Sequence, residues 1–317
     1  MSSNALDLSY AVGLTVERDV PLAAFTSLKV GGPADHFVRA RSSAELSRVL
    51  TEAHRRGMPW LLVGGGSNML ISDRGFRGLA IKVETAGSQR TRAEVLRETD
   101  TEVLLRCEAG ALSAGLSRWT ASLGFRGLEW ACGIPGTIGG AAAGNAGAYG
   151  GDMEHTVDRL RAWFPDGERV MGVGELGYAY RASRFKRSPE PSAVLSVDLR
   201  LTPGSKDAAL EQIEQQEARR RASQPSERSC GSVFKNPTPL FSGRVIEEAG
   251  LKGTTHGGAQ ISEKHGNFFV NRGGATASDV VALMRLARER VRETHGVTLE
   301  VEILLVGDWP PEEVAGL

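Results

Sequence analysis

Trp60-Leu61-Leu62-Val63-Gly64-Gly65-Gly66-Ser67-Asn68-Met69-Leu70-Ile71 is the stretch on which the reading of this chain turns. Four uninterrupted apolar residues suit a short, fully buried strand. Three glycines then free the backbone, and a second apolar run follows. The order strand, glycine loop, strand leaves two readings open. The loop's N–H groups either converge on one anion or close a tight turn. No Gly-Lys-Ser/Thr follows it, as a Walker loop requires, and the loop lacks the Gly-x-Gly-x-x-Gly spacing of a dinucleotide fingerprint.

Outward from this loop the pattern is α+β. Upstream, His36 to Ala40 reads as a strand. Ser42 with Glu45 then forms a capping box for a helix whose apolar face is Leu46, Val49, Leu50 and Ala53, ended by Gly57. Downstream, Leu79 to Val83 and Val103 to Ala109 read as strands, and Leu112, Leu116, Trp119 and Leu123 as one face of a helix closed by Gly124. The stretch from Gly127 to Gly151 carries so many glycines that neither a packed helix nor a strand is expected there. Leu160 to Phe164, Pro165-Asp166-Gly167 and Arg169 to Met171 form a hairpin, and Ala193 to Leu201 a further strand.

Pro203-Gly204-Ser205 punctuates the chain, so the expected division is an N-terminal extension 1–19 without clear period, a domain 20–204 and a second domain 205–317. In the last third, Ala208 to Ala222, Val245 to Ala249 and Ser278 to His295 read as helices and Phe268 to Asn271 as a strand. Val297, Leu299, Val301 and Ile303 alternate as a strand, which places Thr298, Glu300 and Glu302 on its opposite face.

Composition bounds the function. At 317 residues, two domains are expected at about 150 residues each. Lys plus Arg (38) equals Asp plus Glu (38), which removes the summed positive field that non-specific nucleic-acid binding needs. The three cysteines, Cys107, Cys132 and Cys230, are too scattered for a disulfide framework or a zinc site, and no His-Glu-x-x-His pair occurs, so no metal is expected. Met1 to Asp19 lacks the plan of a signal peptide, and no apolar run approaches the roughly 20 residues that span a bilayer. A cytoplasmic protein without membrane or obligate protein partner is expected.

Several constellations carry candidate chemistry. The second glycine tract, with Gly133-Ile134-Pro135-Gly136-Thr137-Ile138-Gly139-Gly140 and then Gly147-Ala148-Tyr149, interleaves apolar residues with glycines. That favours an ordered segment, and two such loops in one domain suit the pyrophosphate of a dinucleotide such as FAD. Tyr180-Arg181-Ala182-Ser183-Arg184-Phe185-Lys186 is either an anion-recognition turn or a solvated basic one, and Arg219, Arg220 and Arg221 pose the same choice. Ser232, between Gly231 and Val233, is a candidate proton donor or a turn residue. His265 is a candidate ligand contact or a structural histidine, and Glu300 and Glu302 are candidate acids or solvated residues.

Taken in order, these strings resemble the UDP-N-acetylenolpyruvoylglucosamine reductases, also called UDP-N-acetylmuramate dehydrogenases. The resemblance runs from about Phe25 to Gly307. It is carried by Thr26-Ser27-Leu28-Lys29-Val30-Gly31-Gly32, Gly64 to Asn68, Gly133 to Gly140, Asn145 to Gly150, Tyr180 to Ser183, Gly231 to Pro237 and Leu299 to Glu302. It implies an FAD-binding domain of the vanillyl-alcohol-oxidase (PCMH) type in two subdomains, plus a smaller C-terminal α+β substrate domain. FAD is then held by Gly64, Gly65, Gly66, Ser67, Asn68, Gly133, Ile134, Pro135, Gly136, Thr137, Gly139, Gly140, Gly147 and Tyr149.

The implied reaction is NADPH-dependent reduction of the enolpyruvyl group of UDP-N-acetylglucosamine enolpyruvate to UDP-N-acetylmuramate, for peptidoglycan. NADPH and the sugar nucleotide use one pocket in turn, and hydride passes from the flavin N5 to the enolpyruvyl methylene carbon. Arg181 matches the arginine that polarises the substrate carboxylate, Ser232 the proton donor and Glu302, rather than Glu300, the third catalytic residue. Tyr180, Arg220, Lys235, Asn236 and His265 are the implied substrate-binding positions. The short span from Arg181 to Ser232 lacks the tyrosine-bearing insertion of longer members and resembles the shorter, second type.

Overall fold

The strand expected before the first glycine loop forms as Trp60–Val63, although only Val63 is fully buried and the other three residues are half-buried, and the chain resumes as the strand Met69–Ile71. The computed structural model describes residues 3–85 and 93–317. They fall into two compact units, each assembled from separate stretches of chain. The first comprises Met1–Val16, Val38–Gly65 and Ile81–Arg220, and the second Glu17–Phe37, Gly66–Ala80 and Arg221–Leu317. By contact, then, the division differs from a single cut at 204. The strands Pro33–Ala40 and Phe76–Val83 each carry residues of both units.

In the first unit, the expected hairpin is the pair Val157–Phe164 and Gly167–Gly172, with Phe164 opposite Gly167. It extends into an antiparallel sheet through Ala193–Pro203, Val103–Glu108 and Ala93–Glu98. The helix Ser43–Arg55 buries the expected face of Leu46, Val49, Leu50 and Ala53. Ser42 accepts the Glu45 N–H, whereas the Glu45 carboxylate receives the N–H of Arg41, so the capping box is displaced by one residue.

Three expectations are corrected in this unit. Residues Ser3–Val12 form a helix packed against Ser43–Arg55, because Leu8 and Val12, four apart and so on one face, are both buried. In the helix Ser113–Ser122 the buried face is Ser113, Leu116, Ser117, Thr120 and Ala121, while Leu112 and Leu123 are exposed. Small residues there allow a close approach that the apolar pattern did not reveal. The glycine-rich tract does contain a helix, Ile138–Gly144. A Cβ at Gly139 would lie 2.6 Å from that of Ala109, so glycine there permits contact that any side chain would block.

In the second unit, an antiparallel sheet runs in the order Ser229–Ser232, Phe268–Asn271, Ala259–Ile261 and Thr255–His256. The helix Ala277–His295 is capped by Thr276 and Asp279 and buries Val280, Met284, Ala287 and Val291 in the core of this unit. Burying each of the larger three stabilises by about 1.5–3 kcal/mol. The strand expected over Val297 to Ile303 does not form. The segment is extended and alternates in burial, with Leu299 and Ile303 inside, but makes a single bridge, Val301 with Phe234. The regular strand is the next three residues, Leu304–Val306, parallel to Met69–Ile71.

Candidate active site

In the first unit the two glycine loops meet backbone to backbone. A Cβ on Gly65 would stand 2.4 Å from the Cα of Gly136, and one on Gly64 2.7 Å from Thr137 Oγ1. Lys82 Nζ donates to the Gly64 carbonyl. The first amides of the helix Ile138–Gly144 are already engaged: Ile138 donates to Ala111 O (2.8 Å), Gly139 to Ala109 O (2.9 Å) and Gly140 to Thr137 Oγ1 (3.4 Å). Among the described residues the amides of Gly65, Gly136 and Thr137 donate to no protein acceptor. Adjacent unspent N–H groups on two touching loops are what a pyrophosphate needs, so these residues fit the FAD that the sequence implies.

Gly65→Ala is expected to force the loops apart, because the obstacle is backbone. Overpacking of this kind costs about 1–3 kcal/mol, or about tenfold or more in FAD dissociation constant. Titration of the apoprotein with FAD measures it, and an unchanged constant would refute the assignment.

The arginine turn is tied to the same tract. Ala179 and Ala182 exchange backbone hydrogen bonds of 3.1 and 3.0 Å around Tyr180 and Arg181, which puts Arg181 at φ +54°. A left-handed residue other than glycine costs about 1–3 kcal/mol and persists only where its surroundings impose it. Three bonds impose it here. Asn145 Nδ2 donates to Ala179 O (3.0 Å), Arg181 Nη2 to Gly147 O (3.1 Å) and Ser183 Oγ to Ala143 O (2.6 Å). The Arg181 guanidinium lies 5.4 Å from the Tyr180 ring centre. Asn145, which the sequence marks only as part of the string Asn145 to Gly150, caps the helix Ile138–Gly144 in the left-handed region and aims its amide at this turn.

Arg220 separates from its neighbours. Arg219 and Arg221 are exposed, but the Arg220 side chain crosses the face of Gly133, where a Cβ would be 2.7 Å from its Cδ. Burial pushes the Arg220 guanidinium below its ordinary pKa, with Tyr149 and Cys132 nearby opposing the shift. Tyr149, at φ +53°, donates its hydroxyl to Gln216 O (3.1 Å) on the same helix. All three cysteines are buried, and burial pushes the Cys230 thiol up to about 12. A Gly-x-Gly-x-x-Gly string does occur at Gly172–Gly177. It joins an antiparallel strand to a three-residue 3-10 turn, not the strand and long helix of a dinucleotide fold.

The second unit holds Gly66, Ser67, Asn68, Ser232, Lys235, Asn236, His265 and Glu302. Ser27 braces the loop here, its N–H bonding Gly66 O (3.0 Å) and its hydroxyl Ser229 O (2.6 Å). Asn68 Nδ2 reaches the Glu302 carbonyl at 3.5 Å. Ser232, Asn236, His265 and Asn267 line a cavity of about 380 Å³ with Phe241, Arg244 and Lys264. Among the described residues the Ser232 hydroxyl has no hydrogen-bond partner. Asn236 Oδ1 accepts the Ser242 N–H at the start of the helix Ser242–Glu248 (3.1 Å).

His265 packs on Gly243, meets the Phe268 ring edge-on at 4.8 Å and accepts the Asn267 N–H on Nδ1 (3.2 Å). The neutral ring therefore carries its hydrogen on Nε2. Burial, then the Lys252 charge, lowers its pKa, which keeps it neutral at pH 7. The two glutamates differ. Glu300 is exposed and pairs with Lys235 Nζ, while Glu302 is half-buried. Their backbones flank the serine segment: Glu302 N–H donates to Val233 O and Lys235 N–H to Glu300 O, both at 2.8 Å.

Residues 34–171 match the model of an FAD binding domain, and residues 224–306 that of the C-terminal domain of UDP-N-acetylenolpyruvoylglucosamine reductase. Over 301 residues, 95% of this chain and 88% of the relative, the chain is 44% identical to UDP-N-acetylenolpyruvoylglucosamine reductase of Anaeromyxobacter dehalogenans (strain 2CP-C). The chain belongs to the UDP-N-acetylenolpyruvoylglucosamine reductase family. Another member, from Heliobacterium modesticaldum (strain ATCC 51547 / Ice1), is 43% identical, with 91% of this chain and 90% of the relative covered. The crystal structure of the reductase from Thermus caldophilus superposes with a TM-score of 0.76 at 35% identity, covering 94% of this chain and all of that one. The fold class is accordingly that of the family, an FAD-binding domain of the vanillyl-alcohol-oxidase type followed by an α+β domain.

Among the described residues no helix is long and apolar enough to cross a membrane. Nor do three or more His, Cys, Asp or Glu gather there as a metal site.

Proposed function

We propose that this chain reduces the enolpyruvyl group of UDP-N-acetylglucosamine enolpyruvate to UDP-N-acetylmuramate, a step of peptidoglycan synthesis. The observation that carries the reading is family membership over 95% of the chain, together with two touching glycine loops whose free amides fit a dinucleotide. The two glycine loops would hold FAD, which when bound would supply the hydride for the enolpyruvyl methylene carbon, with NADPH as the source of that hydride.

The remaining work falls to side chains of this chain. As the methylene carbon gains hydride, negative charge grows on the neighbouring carbon and its carboxylate. Arg181, a permanent cation held in one geometry by its turn, meets that charge without reorganising. Ser232, which lines the cavity and whose hydroxyl is spent on no protein group among the described residues, delivers the proton to the carbon. Glu302 acts on the carboxylate side, its backbone bonded to the residue after the serine. Tyr180, Arg220, Lys235, Asn236 and neutral His265 bind the sugar nucleotide.

Mixing the protein, saturated with FAD, with NADPH and the enolpyruvyl sugar should bleach the flavin bands and then restore them, with one NADPH consumed per sugar reduced. NADPH oxidation that ignores the sugar would refute the reading.

A further inference from the structure

We infer that Asn267 is a positioning residue for this reaction: through the backbone of Phe234 it sets where the Ser232 hydroxyl stands. The inference rests on the proposed function and adds a residue to it.

The strand Ser229–Ser232 is irregular where it reaches its last residue. Its pairing with Phe268–Asn271 slips between Ser229 and Ser232, and Gly231, at φ +75°, turns the chain within the slip. Ser232 is paired again, opposite Phe268, but it stands directly after the break and at the last pair of the ladder. Beyond that last pair, one residue on the neighbouring strand's approach holds the chain from this side. Asn267 O accepts the Val233 N–H (3.0 Å), Asn267 Oδ1 the Phe234 N–H (2.9 Å), and Asn267 Nδ2 donates to Phe234 O (2.7 Å).

The side-chain amide thus acts as an extra peptide group, pairing with Phe234 as a neighbouring strand would. It is buried, 2% exposed, so water cannot replace these bonds. The opposite edge of the same segment is held by Glu302 N–H to Val233 O and Lys235 N–H to Glu300 O. Ser232 and Lys235 flank the clamped pair, so a shift at Phe234 moves both, and with them the bond to Glu302. The fourth polar group of Asn267, its N–H, fixes the His265 ring.

Asn267 touches no reacting atom, so its effect should be confined to the half-reaction that uses the serine. In Asn267→Ala, holding FAD, reduction of the flavin by NADPH should stay within about twofold of wild type. Reoxidation by the enolpyruvyl sugar should slow about 100-fold, as misplacing a reacting group by about 1 Å does. The solvent isotope effect on reoxidation should rise, because a displaced donor makes proton delivery limiting.

Asn267→Asp keeps the size and the acceptor for Phe234 N–H while losing the donor. It guards against a variant that fails to fold, and should show a loss of about tenfold in the same half-reaction. Stopped-flow measurement of each half-reaction decides. Equal slowing of both would mark a structural clamp only, and an unchanged reoxidation rate would mark no role; either overturns the inference. Wild-type protein that the sugar fails to reoxidise would instead refute the proposed function on which it rests.

Discussion

Ser232→Ala is expected to reduce enolpyruvyl turnover by about 10²–10⁴-fold, the usual contribution of a positioned acid, while NADPH still reduces the flavin at close to the wild-type rate. The separation follows from the geometry. Among the described residues no hydrogen bond to the Ser232 hydroxyl holds the fold together, and the side chain is half-buried at the cavity wall. Removing one oxygen should therefore change stability by no more than about 0.5 kcal/mol. Stopped-flow spectra record both half-reactions in one preparation. Reoxidation by the sugar at the wild-type rate would remove Ser232 from the proton path.

The second large effect is a contrast between two residues that share a face. Glu302→Gln should lower turnover about 100-fold or more, within the range for a general acid or base, whereas Glu300→Gln should leave it within about twofold. Glu300 is exposed and its carboxylate is paired with Lys235, an arrangement that at a surface contributes roughly 0–1 kcal/mol. Glu302 is half-buried and its N–H is bonded to the carbonyl of the residue after Ser232. Steady-state kcat for the two variants checks this. An active Glu302→Gln beside a dead Glu300→Gln would move the third role by two positions.

Elements of local origin were legible in the sequence. The helix Ser43–Arg55, the hairpin about Pro165-Asp166 and the helix Ala277–His295 each rest on periodicity or turn chemistry within a dozen or so residues. What escaped depended on distant partners. Gly139 is required in its helix because Ala109 lies against it, and nothing near Gly139 announces Ala109. The alternation from Val297 to Ile303 reported burial correctly, yet pairing needs a neighbour, and only Val301 finds one.

The candidate site divides in the same way. Types and spacing drew attention to Arg181, Ser232 and Glu302, and likeness to a family gave them roles. Asn145 and Asn267 carry no sign of a positioning role as letters, since an asparagine in a loop ordinarily caps a turn. Here each is bonded to backbone 33 or 34 residues away along the chain. Arg220 could not be told from Arg219 and Arg221 as letters; Gly133 distinguishes it by leaving room for one side chain.

The interleaved path of the chain bears on how the protein is made. The core of the second unit joins Leu28, Val30 and Leu70 to Val245, Phe269 and Leu299, so residues synthesised early must wait for partners made much later. The strand Met69–Ile71 likewise gains its parallel neighbour Leu304–Val306 only late in synthesis. Contacts so remote are slow to form, since closing large loops precedes any reward. On the ribosome, the hydrophobic segments about residues 28 and 70 stay unsatisfied until those downstream partners emerge, a window in which chaperones would have their strongest influence on yield.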